Sequence, residues 1–334
     1  MKPIIAITVG DFNGIGPEVA LKAVTSSMVR RIAEPLLIGP RSIFEFTART
    51  LGLLDSLSFA DADLRSPIRA QRSSVPIVDL PGYSEKDVRL GKVSSQAGRC
   101  AGEAIERAVQ LCLNGPADAV VTAPISKEAL HKGGFQFDGH TEFLAALTHT
   151  ANPLMLFLSP SMRVALVTIH RPLREVAPLI TGQHLTRVAQ IFAKSLQSDF
   201  GIVKPRIAVL GLNPHAGEHG EIGEEEETVI LPTIAMLRRK GINVAGPFSA
   251  DTFFGTKAYA EADGVLAMYH DQGLIPVKLL HFHEAVNFTA GLPIVRTSPD
   301  HGTAFGLAGK GIANPGSMIA AVRAAVEIKH MRNG

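Results

Sequence analysis

The chain of 334 residues contains only two cysteines, Cys100 and Cys112, so it has no disulfide framework. A low cysteine count is typical of proteins from a reducing compartment, and the sequence therefore predicts a cytoplasmic protein. Charged residues make up only 19% of the chain, and the 33 basic and 31 acidic residues nearly cancel. Without an excess of positive charge, the sequence disfavours a nucleic acid or a membrane surface as a partner.

Long hydrophobic runs are also missing. The first apolar run extends from Ile4 to Val9 and ends at Gly10 and Asp11, which is too short for a signal peptide or a membrane span. Hydrophobic residues nevertheless reach 46% of the sequence. At this length, the composition predicts about two domains with large cores that need neither disulfides nor a structural metal.

Two common nucleotide-binding motifs are missing as well. The glycines of residues 10–17 do not have the G-x-G-x-x-G spacing that follows the first strand of a Rossmann domain. A P-loop is excluded because Gly309-Lys310 is followed by Gly311 and position 304 is alanine. The sequence therefore disfavours a Rossmann dehydrogenase and a P-loop kinase, and any nucleotide site must be of another kind.

Short β-branched runs alternate with longer segments of helical periodicity, and this pattern of βαβ units predicts an α/β fold. Six apolar runs are predicted as buried strands: 4–9, 36–39, 119–122, 164–169, 207–210 and 265–269. Helices are predicted at 17–33, from a cap at Ser94 or Ser95 to Asn114, and at 317–328. The acidic run Glu224–Glu227 precedes a helical pattern with basic residues at its end, so it is interpreted as a solvated helix terminus rather than a metal site.

Three of the twelve histidines directly follow predicted strands or lie a short turn beyond them: His170, His215 and His270. Ligands of an open parallel sheet bind outside the carboxyl ends of its strands, so these imidazoles can converge on one point. Three histidines leave a divalent metal with open positions for a substrate. The spacings match no local metal motif, and ordinary polar residues at strand ends remain the alternative interpretation.

Other residues suit an anionic substrate. His140 and Thr141 begin a helical segment, where free backbone N–H groups and a hydroxyl can bind phosphate. Lys278, Asn287 and Arg296 follow at intervals of nine residues, which is neither a helical nor a strand repeat. Basic residues beside apolar runs are also common as surface groups, so the pattern leaves both interpretations open.

Five segments carry a resemblance to a known family: 9–18, 139–144, 213–218, 267–273 and 296–304. In their sequence and order they resemble the 4-hydroxythreonine-4-phosphate dehydrogenase family of vitamin B6 biosynthesis. The similarity covers residues 5–316, nearly the whole chain. It implies an isocitrate/isopropylmalate-dehydrogenase-like fold with two α/β/α domains. The expected domains are a cofactor-side domain, 1–127 plus 288–334, and a metal, substrate and dimerisation domain, 128–287.

The resemblance also implies roles for individual residues and a homodimer with its active site in a cleft at the subunit interface. A divalent ion (zinc, magnesium or cobalt) is expected on His170, His215 and His270, with one ligand from the partner subunit. The implied substrate contacts are His140, Thr141, Lys278, Asn287 and Arg296. NAD or NADP is expected at His301, Gly302, Thr303, Ala304 and Asn314. Asp251 and Asp271 are candidate catalytic bases, but either can instead orient a metal-binding histidine.

The implied reaction is the NAD(P)-dependent oxidation of 4-phosphooxy-L-threonine at C3. Its product, 2-amino-3-oxo-4-phosphooxybutanoate, decarboxylates to 3-amino-2-oxopropyl phosphate in pyridoxine 5'-phosphate biosynthesis. Related enzymes act on 4-phospho-D-threonate, 4-phospho-D-erythronate or aromatic cis-dihydrodiols, and retention of the phosphate-side residues argues against a dihydrodiol. A non-redox metal lyase and a small-molecule sensor on the same fold are the remaining alternatives.

Overall fold

The computed structural model describes residues 1–55, 57–71 and 73–333. The described residues form twelve strands: β1 (Ile4–Thr8), β2 (Glu34–Ile38), β3 (Ser58–Asp61), β4 (Ser74–Val78), β5 (Ala119–Val121), β6 (Leu154–Leu158), β7 (Arg163–Leu166), β8 (Ile207–Leu210), β9 (Val244–Phe248), β10 (Gly264–Ala267), β11 (Val286–Ala290) and β12 (Val295–Pro299). All six predicted strands are therefore confirmed, with ends shifted by up to three residues.

The α-helices of the described residues are α1 (Gly16–Thr25), α2 (Ser27–Ile32), α3 (Arg41–Thr50), α4 (Ser95–Asn114), α5 (Lys127–Lys132), α6 (His140–Leu147), α7 (Val176–Leu179), α8 (Gly182–Ser198), α9 (Leu231–Arg239), α10 (Ala250–Gly255), α11 (His270–His281) and α12 (Gly316–Asn333). The single helix predicted at 17–33 is wrong, because Ser26 adopts an extended conformation (φ −62°, ψ 130°) and separates α1 from α2. Within the described residues, no helix combines the length and the apolar character needed to cross a membrane.

The chain forms two compact units, which we call the first and the second unit. The first consists of Met1–Pro153 and Leu292–His330, and the second of Leu154–Gly291 with the last residues from Met331 onwards. In the first unit the strand order is β3-β4-β2-β1-β5-β12, and all neighbouring strands are parallel. The α/β class is thus confirmed. Strands β1 and β2 are continuous apolar runs because they are buried on both faces.

In the second unit the strand order is β11-β6-β7-β10-β8-β9. The pairs β11–β6 and β6–β7 are antiparallel, and the remaining pairs are parallel. Because β7, β10 and β8 are parallel neighbours, their carboxyl ends lie at the same edge of the sheet. This edge carries the residues that follow the three strands, including the histidines singled out in the sequence.

The unit boundaries differ from the predicted domain limits at residues 127 and 287. Helix α5 packs so closely on α4 that a Cβ atom on Gly98 would lie 1.7 Å from the carbonyl oxygen of Ala129. Only a glycine permits this contact, which joins the segment after residue 127 to the first unit. At the other boundary, all of β11 pairs with β6, so residues up to Gly291 belong to the second unit.

Candidate functional site

The predicted phosphate site lies at the start of α6 in the first unit. Gly139 precedes this helix in an extended conformation, and no side chain caps the helix at that position. The first N–H groups of a helix have no partner within it, so they are available to an anion. Thr141 is buried in the first turn, with 7% of its surface exposed.

The imidazole of His140 is held neutral. The residue as a whole is partly exposed, but its Nε2 atom is buried and has no hydrogen-bond partner among the described residues. Burial lowers the pKa of His140 well below its ordinary value, and the positive charge of Arg296 lowers it further. A neutral imidazole can donate one hydrogen bond or accept one, so Nε2 is a polar atom ready for a ligand.

Arg296 lies in β12 and is the largest of the nearly fully buried side chains, with 1% exposed. Its Nε and Nη2 atoms donate hydrogen bonds to the hydroxyl of Thr122, at 3.2 and 2.7 Å. These bonds orient the plane of the guanidinium group. Burial lowers the pKa of Arg296 to about 9, so the group remains charged at neutral pH. Because its charge acts on His140, the two side chains form one polar cluster within the first unit.

Asp11 is a buried carboxyl group that the sequence analysis did not single out. It follows β1, and its Oδ1 accepts a hydrogen bond from the N–H of Asn13 at 2.9 Å. Its Oδ2 is buried and has no partner among the described residues. Burial raises the pKa of Asp11 to about 6, against the lowering effect of the Asn13 N–H. The sequence feature that could have identified Asp11 as a candidate site residue is its position next to a glycine, directly after a buried strand.

The predicted cofactor segment follows β12, and it is held by the first loop and by α1. The N–H of Ile15 donates to the carbonyl of Thr303 at 2.9 Å. The Glu18 carboxylate accepts from the N–H of Ala313 at 2.8 Å, and Lys22 donates to the carbonyls of Gly311 and Ala313 at 2.9 and 2.8 Å.

The backbone of this segment suits a ligand-binding loop. Ala304, Gly309 and Gly311 have left-handed φ angles of 43°, 75° and 70°. Added Cβ atoms on Gly302 and Gly306 would meet no neighbour within 4 Å, so the loop leaves open space there. Two predicted residues are engaged locally: His301 Nδ1 lies 3.1 Å from the carbonyl of Gly302, and Asn314 accepts from the N–H of Gly316 at 2.8 Å. A glycine-rich loop of this kind fits a nucleotide bound through its backbone.

In the second unit, two of the three predicted metal-binding histidines lie side by side. His170 follows β7 and His270 begins α11 after β10, and their ring centroids are 5.7 Å apart. His270 Nδ1 lies 2.7 Å from a carboxylate oxygen of Asp271. This contact leaves His270 Nε2 available to a ligand. Since two adjacent imidazoles are common metal ligands, this pair fits a divalent ion.

His215 lies in an exposed turn after β8 and lines a cavity of about 580 Å³, whose wall also includes Asp251, Tyr269 and Asp271. The hydroxyl of Ser249 donates to the Asp251 carboxylate at 2.5 Å. This bond lowers the pKa of Asp251 below its ordinary value, as do the N–H of Thr252 and, more weakly, His215. Across the described parts of one chain, no group of three His, Cys, Asp or Glu side chains is arranged to hold a metal.

The two remaining predicted substrate residues also lie in the second unit. Lys278 is partly buried in α11, the helix that begins with His270. Asn287 is partly buried in β11, where it pairs with Phe157 of β6.

The interpretation of the acidic run Glu224–Glu227 as a solvated helix terminus is wrong for one residue. Glu226 is only 1% exposed, whereas Glu224 and Glu227 are exposed.

Strand-end histidines, together with a buried arginine beside a neutral histidine, are features of an α/β enzyme that acts on a small anionic molecule. The sequence model described as "Pyridoxal phosphate biosynthetic protein PdxA" matches residues 31–325. The chain therefore belongs to this family.

Individual relatives are similar over nearly their whole length. A protein of Trichlorobacter lovleyi named 4-hydroxythreonine-4-phosphate dehydrogenase is 43% identical over 336 residues, covering 99% of both chains. A crystal structure of an enzyme of that name from Klebsiella pneumoniae is 37% identical with a TM-score of 0.87, covering 98% of this chain and 100% of the other. A terephthalate 1,2-cis-dihydrodioldehydrogenase from Burkholderia xenovorans LB400 is 28% identical with a TM-score of 0.64, covering 98% of both chains.

Proposed function

We propose that the protein is a 4-hydroxythreonine-4-phosphate dehydrogenase of pyridoxine 5'-phosphate biosynthesis. It oxidises 4-phosphooxy-L-threonine at C3 to 2-amino-3-oxo-4-phosphooxybutanoate, which decarboxylates to 3-amino-2-oxopropyl phosphate. The observation that carries this proposal is the 43% identity, over nearly the full length, to a relative with this name. The lower similarity to the dihydrodiol dehydrogenase supports a phosphorylated substrate.

The first unit supplies groups for the anionic ends of the substrate. The start of α6 offers N–H groups and the Thr141 hydroxyl to the phosphate, with His140 Nε2 as a neutral donor. The guanidinium of Arg296, oriented by Thr122, can bind a carboxylate or a phosphate through two parallel hydrogen bonds. In the second unit, Lys278 and Asn287 are the further candidate substrate contacts.

The second unit supplies the metal ligands. His170 and His270 would hold a divalent ion (zinc, magnesium or cobalt), and a bound ion would supply a lowered pKa of the substrate's C3 hydroxyl. Asp271 accepts the Nδ1–H of His270, which leaves Nε2 as the ring atom that would bind the ion. A lowered pKa makes Asp251 a weak base, so its charge beside His215 suits an electrostatic role better than proton abstraction.

The segment His301–Asn314 would hold NAD or NADP, which would supply the hydride acceptor for the oxidation at C3. Glu18 and Lys22 hold its second half through three hydrogen bonds to backbone groups, so the loop is ordered before the cofactor binds. Preorganisation of this kind reduces the entropy cost of binding. Both cysteines are free, which accords with the predicted cytoplasmic location.

A homodimer is supported by the surface of α11 and of Phe282, which directly follows it. Ile275, Leu279 and Phe282 are 63%, 83% and 65% exposed, although they are large and apolar. Ile275 and Leu279 are one turn apart and line the cavity that contains His215. An exposed apolar patch of this kind marks a protein interaction site, and a second copy of the chain would cover it beside the active site.

The first prediction tests the activity. Purified protein, a divalent metal and 4-phosphooxy-L-threonine are expected to reduce NAD or NADP, measured by the absorbance of the reduced nicotinamide. 4-Phospho-D-threonate and 4-phospho-D-erythronate are the matched alternative substrates, and faster reduction with either would move the assignment to that substrate. Substrate consumption without nicotinamide reduction would indicate a non-redox lyase, and binding without turnover would indicate a sensor.

The second prediction tests whether the metal site is shared between subunits. His170 and His270 lie together in one chain, so we assign the third ligand to His215 of the partner subunit. Mixing His170→Ala and His215→Ala dimers is then expected to restore about a quarter of the wild-type activity, because one site of each heterodimer keeps all its ligands.

The matched control is a mixture of His170→Ala and His270→Ala dimers. Here every site of the heterodimer lacks one ligand, so no recovery is expected. Subunit exchange is verified with two affinity tags. Recovery in the control mixture, or none in the first mixture despite exchange, would show that this assignment of ligands to chains is wrong.

A further inference from the structure

We propose that Glu226 is a positioning residue, which holds the turn that carries His215 in its observed conformation. The inference rests on the proposed function, in which His215 binds the metal. It concerns a buried carboxylate outside the predicted set of ligands and bases, and it follows from the backbone of the turn and from the contacts of Glu226.

The turn has an unusual backbone. Six consecutive residues have left-handed φ angles: His215 (54°), Ala216 (52°), Gly217 (80°), Glu218 (43°), His219 (57°) and Gly220 (96°). Residues other than glycine rarely adopt this conformation, and they do so mostly one at a time. A run of this kind persists only where surrounding groups determine it. The side chain of His215 therefore takes its direction from whatever holds the turn.

Glu226 makes the contacts that can hold it. Its Oε1 accepts hydrogen bonds from the N–H groups of Leu212 and Asn213, at 2.7 and 2.8 Å. Its Oε2 accepts from the side-chain amide of Asn213 at 2.8 Å. The carboxylate also packs against the turn itself, since a Cβ atom on Gly217 would lie 2.8 Å from Oε2. One buried side chain thus contacts both the entry and the middle of the turn.

The local helix geometry places Glu226 for this role. The residue begins a π-helical turn, Glu226–Ile230, directly before α9. π-Helical turns are rare in proteins as a whole, and those that occur often lie at functional sites. Glu224 and Glu227 of the same acidic run are exposed, whereas the carboxylate of Glu226 is buried and contacts the turn.

The entry to the turn is also joined to the helix of His270. Gln272 of α11 donates from its side-chain amide to the carbonyl of Gly211 at 2.6 Å, and it accepts from the N–H of Met268 at 2.7 Å. At the entry to the turn, Gln272 thus binds a backbone carbonyl group, and Glu226 binds the two backbone N–H groups that follow it. The two side chains together set the position of His215 relative to the end of β10 in the same chain.

The test compares Glu226→Ala and Glu226→Gln with Glu224→Gln, a matched control that alters an exposed member of the same acidic run. Hydrogen exchange of residues 211–220 is measured by mass spectrometry, and the affinity for Co²⁺ alone is measured by its visible absorption. Glu226→Ala is expected to speed exchange in this segment at least tenfold and to raise the Kd for Co²⁺ by about 10–100-fold. Glu224→Gln is expected to match the wild type in both.

The glutamine variant is the conservative replacement. Its amide oxygen can still accept from the two backbone N–H groups, but its NH₂ group faces the NH₂ group of Asn213, so we expect an intermediate effect. Unchanged exchange in residues 211–220 of both variants would overturn the proposal, as would faster exchange with an unchanged Co²⁺ affinity. Wild-type protein that binds no Co²⁺ would count against the proposed metal site, while the exchange result would still decide whether Glu226 holds the turn.

Discussion

His270→Ala is expected to lower kcat by about three orders of magnitude at saturating metal and substrate. Stabilisation of charge on the substrate oxygen by a bound divalent ion contributes several kcal/mol, and each 1.4 kcal/mol or so is a factor of ten in rate. The variant removes one of two adjacent imidazoles, whose ring centroids are 5.7 Å apart, from the start of α11. His270 is partly exposed, so the fold is expected to survive. Steady-state nicotinamide reduction measures the loss, and thermal unfolding checks the fold.

The control for this prediction is His184→Ala. It removes a partly exposed imidazole from the first turn of α8 in the same unit, and it is expected to keep wild-type activity. Treatment of the wild type with a chelator is expected to reproduce the effect of His270→Ala, with recovery on addition of a divalent ion. Full turnover of the His270 variant in chelator-treated buffer would contradict the metal assignment.

The unphosphorylated 4-hydroxy-L-threonine is expected to be a very poor substrate. The start of α6, Thr141 and His140 offer several hydrogen bonds to a phosphate, and bonds to a charged group contribute ~1.5–3 kcal/mol each. Loss of two or three of them corresponds to a decrease in kcat/KM of about three orders of magnitude. The measurement is kcat/KM on the phosphorylated and unphosphorylated substrates under the same conditions.

His140→Ala separates binding of the phosphate from a role at the reacting carbon. The variant is expected to lose about 10- to 100-fold in kcat/KM on the phosphorylated substrate and much less on the unphosphorylated one, where the contact is absent. Lys132→Ala is the matched control, because it removes an exposed cation that pairs with Glu128 on the neighbouring α5. Equal losses on both substrates would place His140 at the reacting centre instead.

Prediction of the fold from the sequence succeeded where the signal is local. A continuous apolar run bounded by turn residues is a buried strand in an α/β protein, and the six runs of this kind all form strands. Other strands were not predicted. The segment Leu154–Leu158 is a continuous apolar run but contains no β-branched residue, and Val295–Pro299 contains a charged residue and a proline. Whether such segments become strands depends on the neighbours that pair with them.

Charges inside the protein were harder to predict. The sequence indicates Arg296 as a substrate contact, but a charged residue beside an apolar run does not predict the near-complete burial of its side chain against Thr122. Asp11 is fully buried although it follows a glycine at the end of a strand, a position typical of exposed turns. The cost of burying a charge depends on the partners that the fold supplies, and those partners are distant in the sequence.

By itself, the sequence determined the α/β class, the position of three histidines at strand ends, and the family, because each follows from local runs and motifs. Only the tertiary structure decided which of these residues meet. His170 and His270 are a hundred residues apart, and they are adjacent because β7 and β10 pair, a property of strand order rather than of spacing. The sequence does not distinguish the four consecutive glutamates 224–227 from one another. Successive residues of a helix point in different directions, so only the fold decides which glutamate is buried. The π-helical turn buries Glu226 against the turn that carries His215.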